Sequence, residues 1–293
     1  MEQVITAPVK GKARKSVMRS PAMIVMCVIF WLYALSILFV LVQGLGYSLM
    51  TDGQYSDGMI FPTKGLHLIN YVNAFSKLVD TESGTNLLGM TINSLWYAGG
   101  SSFFGILFSS ITAYILSKYR FPGRNALYMY AVVTMMLPIM GSAAASIKFY
   151  HDIGILDTNF MIVMFASSFG DNFIMQFATF KGVSWEYAEA AFIDGASHFK
   201  VWYMVMIPQA MSTMVALFVV GFIGRWADSD TALLLMKTHP TIASGLYKLS
   251  HRNSYNVPVL FAGFMISMLP VLGLYIAFQK TIMDIQIGGG LKG

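Results

Sequence analysis

Residues 186–208 read EYAEAAFIDGASHFKVWYMVMIP, a short acidic and helix-forming island between long apolar runs. Glu186 and Glu189, three apart, fall on one side of a helix and can meet basic groups. Ala190 and Ala191 carry almost no side-chain bulk, so another surface can approach the backbone closely. Asp194 adds a third carboxylate, and Gly195 is cheap as a bend and costly inside a helix. Ser184 suits the N-cap before Glu186, and Pro208 favours a new helical start. This is the chemistry of docking rather than of bond cleavage. The competing reading is an amphipathic helix lying on lipid, but the segment lacks the basic face that anionic lipid attracts.

A second set consists of polar groups inside apolar sequence, where charge is expensive. Asp171 stands beside Asn172, with Gln176 about one turn onward, and Arg225 ends another apolar run. Together with Asn93, Tyr97, Met135 and Pro138 they are candidates for lining a solute path. Ordinary helix packing also uses small and polar residues, and Arg225 could instead snorkel outward or pair with Asp228. His151, His198, His239 and His251 show no paired ligand spacing, so no metal site is expected. No GxxxxGK[ST] phosphate loop occurs, and the Gly-rich end, residues 288–293, is not one. No catalytic constellation is evident.

The elements that must position these residues are membrane spans. Of 293 residues, 56% are hydrophobic and only 11% charged, far too apolar for an ordinary soluble domain. Apolar runs at about 22–49, 87–117, 126–150, 159–180, 209–226 and 258–280 suggest six crossings. The first is too long for a removable leader and reads as a retained span. The third contains Pro138 and Gly141 and is expected to kink or unwind. Asp171 falls well inside the fourth, and Arg225 with Asp228 stops the fifth early. The lone Cys27 lies in the first run, so no disulfide framework exists.

Orientation follows from the cations. Lys10, Lys12, Arg14, Lys15 and Arg19 in an N-terminal arm, then Lys118, Arg120 and Arg124, place both termini in the cytoplasm. The net charge of +5 thus reflects topology rather than nucleic-acid binding. The expected division is a basic arm at 1–20, a first helix at 21–50 and an extracytoplasmic loop at 51–86. A five-helix core then fills 87–280, with a cytoplasmic loop at 181–208, before a tail at 281–293.

Glu189-Ala190-Ala191, Gly195 and then Pro208 resemble the EAA loop of bacterial ABC importer permeases. The stretches YRFPGR (119–124), MLP (136–138), GILDT (154–158), NYVNAF (70–75), FQK (278–280) and GGLKG (289–293) are similar to the carbohydrate-uptake, maltose permease-like branch. Two departures stand out: Ala227 occupies the Asn position of a Trp-Asn-Asp run, and Ile207 replaces a leucine before Pro208. The resemblance implies an all-α type I importer permease with six transmembrane helices in the bacterial inner membrane. It implies a second, usually different, permease subunit, two ATP-binding subunits and an extracytoplasmic solute-binding protein. ATP and Mg would sit on those partners, with no cofactor on this chain. The 181–208 loop would be the coupling helix, carrying Glu186, Glu189, Ala190, Ala191, Asp194, Gly195 and Pro208. Cargo would be a sugar or oligosaccharide, with glycerol phosphate or another polyol as the alternative. A self-contained channel is the rival from another class.

Overall fold

The computed structural model describes residues 21–136, 142–252 and 256–288. Every regular element among them is helical, and the only β pairing is an isolated bridge between Val79 and Asn86. In chain order the helices are α1 (Pro21–Ser48), α2 (Asp52–Ser56), α3 (Ile69–Lys77), α4 (Leu87–Lys118), α5 (Arg124–Met136), α6 (Ser142–Asp152) and α7 (Met161–Met164). They continue as α8 (Asp171–Gly182), α9 (Glu186–Ile193), α10 (His198–Val201), a π-helical turn (Trp202–Met206), α11 (Ile207–Ala227), α12 (Asp230–Leu235), α13 (Ile242–Ser250) and α14 (Val257–Gly288).

Among the described residues, four helices are long and apolar enough to cross a bilayer: 23–48, 87–118, 198–227 and 257–283. A helix rises about 1.5 Å per residue, so a hydrocarbon core of about 30 Å asks for about 20 residues. The expected third span is instead α5, of 13 residues, and α6, of 11, on either side of 137–141. Pro138 and Gly141, the expected cause of a break, lie outside the described residues. The expected fourth span is likewise not one helix. Four-residue α7 ends at Met164, a non-helical stretch follows, and α8 starts at Asp171. Gly170 precedes it at φ 148°, a backbone conformation that L side chains rarely adopt. Asp171 therefore stands exposed at a helix start rather than within a continuous span. The fifth span is longer than expected, because α10, the π turn and α11 run on as one rod, with Pro208 just after the π turn inside it.

α4 is the central helix and packs mainly on α8 and α11, while α14 holds α1, α3 and α11. Contacts at the end away from the 181–208 loop form one apolar cluster with Met90, Trp226, Leu246 and Leu260, and the Trp226 indole donates to the Ser267 carbonyl at 2.9 Å. Loop-side contacts form another, with Tyr114, Phe180, Ala188 and Trp202. α1 lies outside both, and its contacts run along α14. Gly44 permits that approach, since a Cβ there would sit 3.3 Å from Met265 Cε. In α11 the buried positions are Ile207, Ala210, Thr213, Ala216, Val219, Phe222 and Trp226.

Candidate functional site

The 181–208 segment folds as two short helices joined by a tight corner. α9 ends in a Schellman arrangement: the Gly195 N–H donates to the Phe192 carbonyl at 3.0 Å and the Ala196 N–H to the Ala191 carbonyl at 2.9 Å. Gly195 takes φ 78°, which only glycine adopts cheaply, and a Cβ there would meet nothing within 4 Å. Its requirement is therefore conformational, not spatial. Ser197 then caps α10 by accepting from the Lys200 N–H at 3.4 Å. At the other end the N-cap is Trp185 rather than Ser184, although Ser184 Oγ accepts from the Glu186 N–H at 3.3 Å.

α9 has two faces. Ala188 is fully buried in the loop-side cluster, and Ala191 packs partly against it. Glu186, Glu189, Ala190 and Asp194 are exposed, and so are Tyr187 and Ile193, the latter 86% accessible. The outward face is thus acidic with an apolar tip. The pairing of Ala190 with Ala191 on one approachable face does not hold, because Ala191 turns inward. Tyr187 and Ile193 were missed in the sequence; their spacing from Glu186, Glu189 and Ala190 on an eight-residue helix was the available signal.

Aromatic rings anchor this loop to the membrane helices. Tyr119 Oη lies 2.8 Å from His198 Nδ1, and its ring meets Tyr114, Trp185 and His198 with centroids 5.6–5.7 Å apart. Phe192 packs on His198 at 4.8 Å, and Tyr114 reaches Phe180 of α8 at 5.7 Å. Lys118 Nζ donates to the Val183 carbonyl. These contacts join α9 to α4, α8 and the 198–227 rod. Such aromatic pairs are worth about 0.5–1.5 kcal/mol each beyond their buried area.

The polar residues of the apolar sequence separate into ties and cavity walls. Asn93 Nδ2 donates to the Pro240 carbonyl at 3.1 Å, fixing the segment before α13 to α4. Tyr97 is fully buried and donates to Asp228 Oδ2 at 2.9 Å. Gln176, also fully buried, donates to Ser109 Oγ at 2.7 Å. Met135 sits half-buried near the end of α5, and Pro138 lies outside the described residues. Asp171, Asn172 and Arg225 by contrast line one cavity of about 180 Å³ between α4, the stretch before α8, and α11. Arg225 neither snorkels nor pairs with Asp228. It donates to the Phe165 carbonyl at 2.8 Å, with its guanidinium 5.9 Å from that ring.

Residues 105–282 match the family model of the binding-protein-dependent transport system inner membrane component, and the chain belongs to that family. It is thus a multi-pass inner-membrane transport component, not an enzyme. Similar curated proteins include the diacetylchitobiose uptake system permease protein NgcG of Streptomyces coelicolor, 26% identical, with 73% of this chain and 70% of that one covered. Another is the probable starch degradation products transport system permease protein AmyC of Thermoanaerobacterium thermosulfurigenes, 27% identical, covering 78% and 82%. Among solved structures, a chain of a bacterial ABC transporter involved in the import of the acidic polysaccharide alginate superposes with a TM-score of 0.72 at 24% identity, covering 88% of this chain and 95% of that one. The fold is that of a type I ABC importer permease.

Proposed function

We infer that this chain is the permease subunit of an ATP-driven importer for a sugar or oligosaccharide, with α9 as the element that ATPase subunits move. The observation that carries the reading is the α9 face. Three carboxylates and Ile193 stand out from a helix whose other side is locked into the core. A surface of that chemistry suits a basic-rimmed apolar cleft on a partner. The names of the relatives, which concern diacetylchitobiose, starch degradation products and arabinooligosaccharides, support the cargo class. In this reading six crossings place both termini in the cytoplasm, and a second permease subunit completes the passage. An extracytoplasmic solute-binding protein delivers cargo, and two ATPase subunits bind ATP and Mg. Closure of the ATPase pair pushes α9, and the aromatic anchor passes that displacement to α4, α8 and α11, exchanging two arrangements of the bundle.

The test is co-expression with the ATPase subunits. Glu189→Lys reverses one charge on the exposed face and is expected to lower the co-purified ATPase about tenfold, the equivalent of about 1.4 kcal/mol. Sugar uptake should fall in parallel while the chain still inserts. Undiminished co-purification and uptake would remove α9 from the coupling role. Conductance by the chain reconstituted alone would favour the channel reading instead.

A further inference from the structure

Two hollows share the end of α4 nearest the 181–208 loop. The first is a groove of about 440 Å³ between α4 and the start of the 198–227 rod. Buried Tyr114 and Trp202 form its floor, while Ile111, Ile115 and Phe199, 37%, 41% and 69% accessible, form an open rim. Its lining is almost wholly apolar and contains no carboxylate. The second is a cleft of about 290 Å³, lined by Arg120, Phe121, Gly123, Arg124, Asn125 and Ala126. Tyr119 of the groove and Arg120 of the cleft are consecutive residues.

The cleft carries charge that the chain does not neutralise. Elsewhere Lys148 pairs with Asp152, and Lys248 with Asp80 and Glu82. Arg120 is exposed and makes no hydrogen bond or ion pair among the described residues. Arg124 Nε donates to the Leu116 carbonyl at 2.7 Å, and an Nη donates to the Ser117 carbonyl at 3.5 Å. Backbone carbonyls thus hold that guanidinium without cancelling its charge, and three of its five N–H donors stay free. Two guanidinium groups in one cleft suit a phosphate, which arginine meets in bidentate fashion. A free phosphate would account for the cleft but not for the groove next to it.

Depth joins the two. Ile111 lies seven residues before the end of α4 at Lys118, about 10 Å at 1.5 Å per residue. Gly105, on the cavity with Asp171, is 13 residues before that end and so lies deeper. The groove therefore occupies the zone where acyl chains meet headgroups, and Tyr119, Phe199 and Trp202 are the residue types that favour it. An apolar slot open toward the membrane, with a cationic mouth at its headgroup end, matches both halves of one phospholipid. Basic pockets at the ends of membrane helices favour anionic headgroups.

We propose that this end of α4 holds one anionic phospholipid of the loop-side leaflet, its phosphate on Arg120 and Arg124 and an acyl chain in the groove. The lipid lies against Tyr119 and Trp202, rings that also pack the coupling loop onto the bundle. Its binding is independent of the cargo. The full chain, purified in detergent and stripped of lipid, is titrated with dioleoyl phosphatidylglycerol or dioleoyl phosphatidylcholine. Bound lipid is counted by native mass spectrometry. Phosphatidylglycerol is expected to bind about tenfold more tightly and to raise the melting temperature. Arg120→Gln should weaken it about fivefold, and Arg120→Lys, which keeps the charge, about twofold. Ile115→Trp fills the groove from its open rim and should weaken both lipids about tenfold. Equal affinity for the two lipids, or an unaffected Arg120→Gln, overturns the proposal. Loss with Arg120→Gln but not with Ile115→Trp also overturns it, and assigns the cleft to a soluble anion. So does lipid that the chain binds alone but releases when ATPase subunits are added, which assigns the cleft to them.

Discussion

The loop-side end of the bundle and its mid-depth cavity solve opposite problems with the same helices. Around α9 the helix end is closed by two backbone bonds, α10 is capped and Tyr119 meets His198, although the buried Trp202 Nε1 finds no partner among the described residues. Around the cavity Asp171, Asn172 and Ser102 are left open. In the proposed importer, a part that transmits displacement loses it wherever it can yield, so it is packed, and a part on the solute's route keeps hydrogen-bonding capacity in reserve. The ties at Asn93 and Tyr97 lie on the half of α4 away from the 181–208 loop and belong to the first kind, although their residue types resemble the second.

The sharpest way to break this contrast is at Gly195. Gly195→Val forces a β-branched residue to φ 78°, costing about 1–3 kcal/mol locally or undoing the corner. Uptake and ATPase stimulation should fall about tenfold or more, while the chain still inserts at an unchanged yield. A matching fall in yield would mean that the corner serves folding rather than coupling. A smaller effect is expected from Tyr97→Phe, which takes a donor from the Asp228 carboxylate. About 1–3 kcal/mol of stability should be lost, visible as a lower melting temperature of the purified chain, with sugar affinity unaltered. A change in affinity would move Tyr97 from the ties to the cargo path. The smallest belongs to Tyr119→Phe, which removes the hydroxyl's bonds to His198 and, at 3.3 Å, to Tyr114 Oη and leaves the ring contacts in place. About 1 kcal/mol is at stake, to be read as less sugar imported per ATP hydrolysed at an unchanged yield of complex.

Much of this was legible in the residues. The apolar runs located α1, α4, α11 and α14, and the acidic island located α9 with its glycine corner. What escaped was what a one-dimensional pattern cannot carry. The 159–180 run is apolar enough to read as a span, yet its backbone leaves the helix before Gly170, and apolar composition does not record that interruption. Likewise Asp171, Asn172 and Arg225 could be marked as anomalous but not joined, because only the fold sets α8 beside α11. Tyr97 and Gln176 looked equally eligible, and only their partners, Asp228 and Ser109, distinguish them. Ser102 carried no signal at all, since a serine in a membrane helix ordinarily bonds its own backbone, as Ser109 does to the Gly105 carbonyl at 2.7 Å.

The buried positions of α11 recur every third residue from Ile207 to Phe222. With about 3.6 residues per turn, each such step falls about 60° short of a full revolution, and five steps carry the stripe about 300° round the helix. The thread explains why no single apolar face could be seen in this segment, and why one helix meets α8 as well as α13 and α14. It also constrains motion. A helix seated in its neighbours along a spiral advances along its axis only by turning, so in the proposed coupling a thrust on α9 and α10 would reach the far end of α11 as rotation. The side of α11 that carries Leu217, Gly221 and Arg225 toward the cavity would turn like the bit of a key.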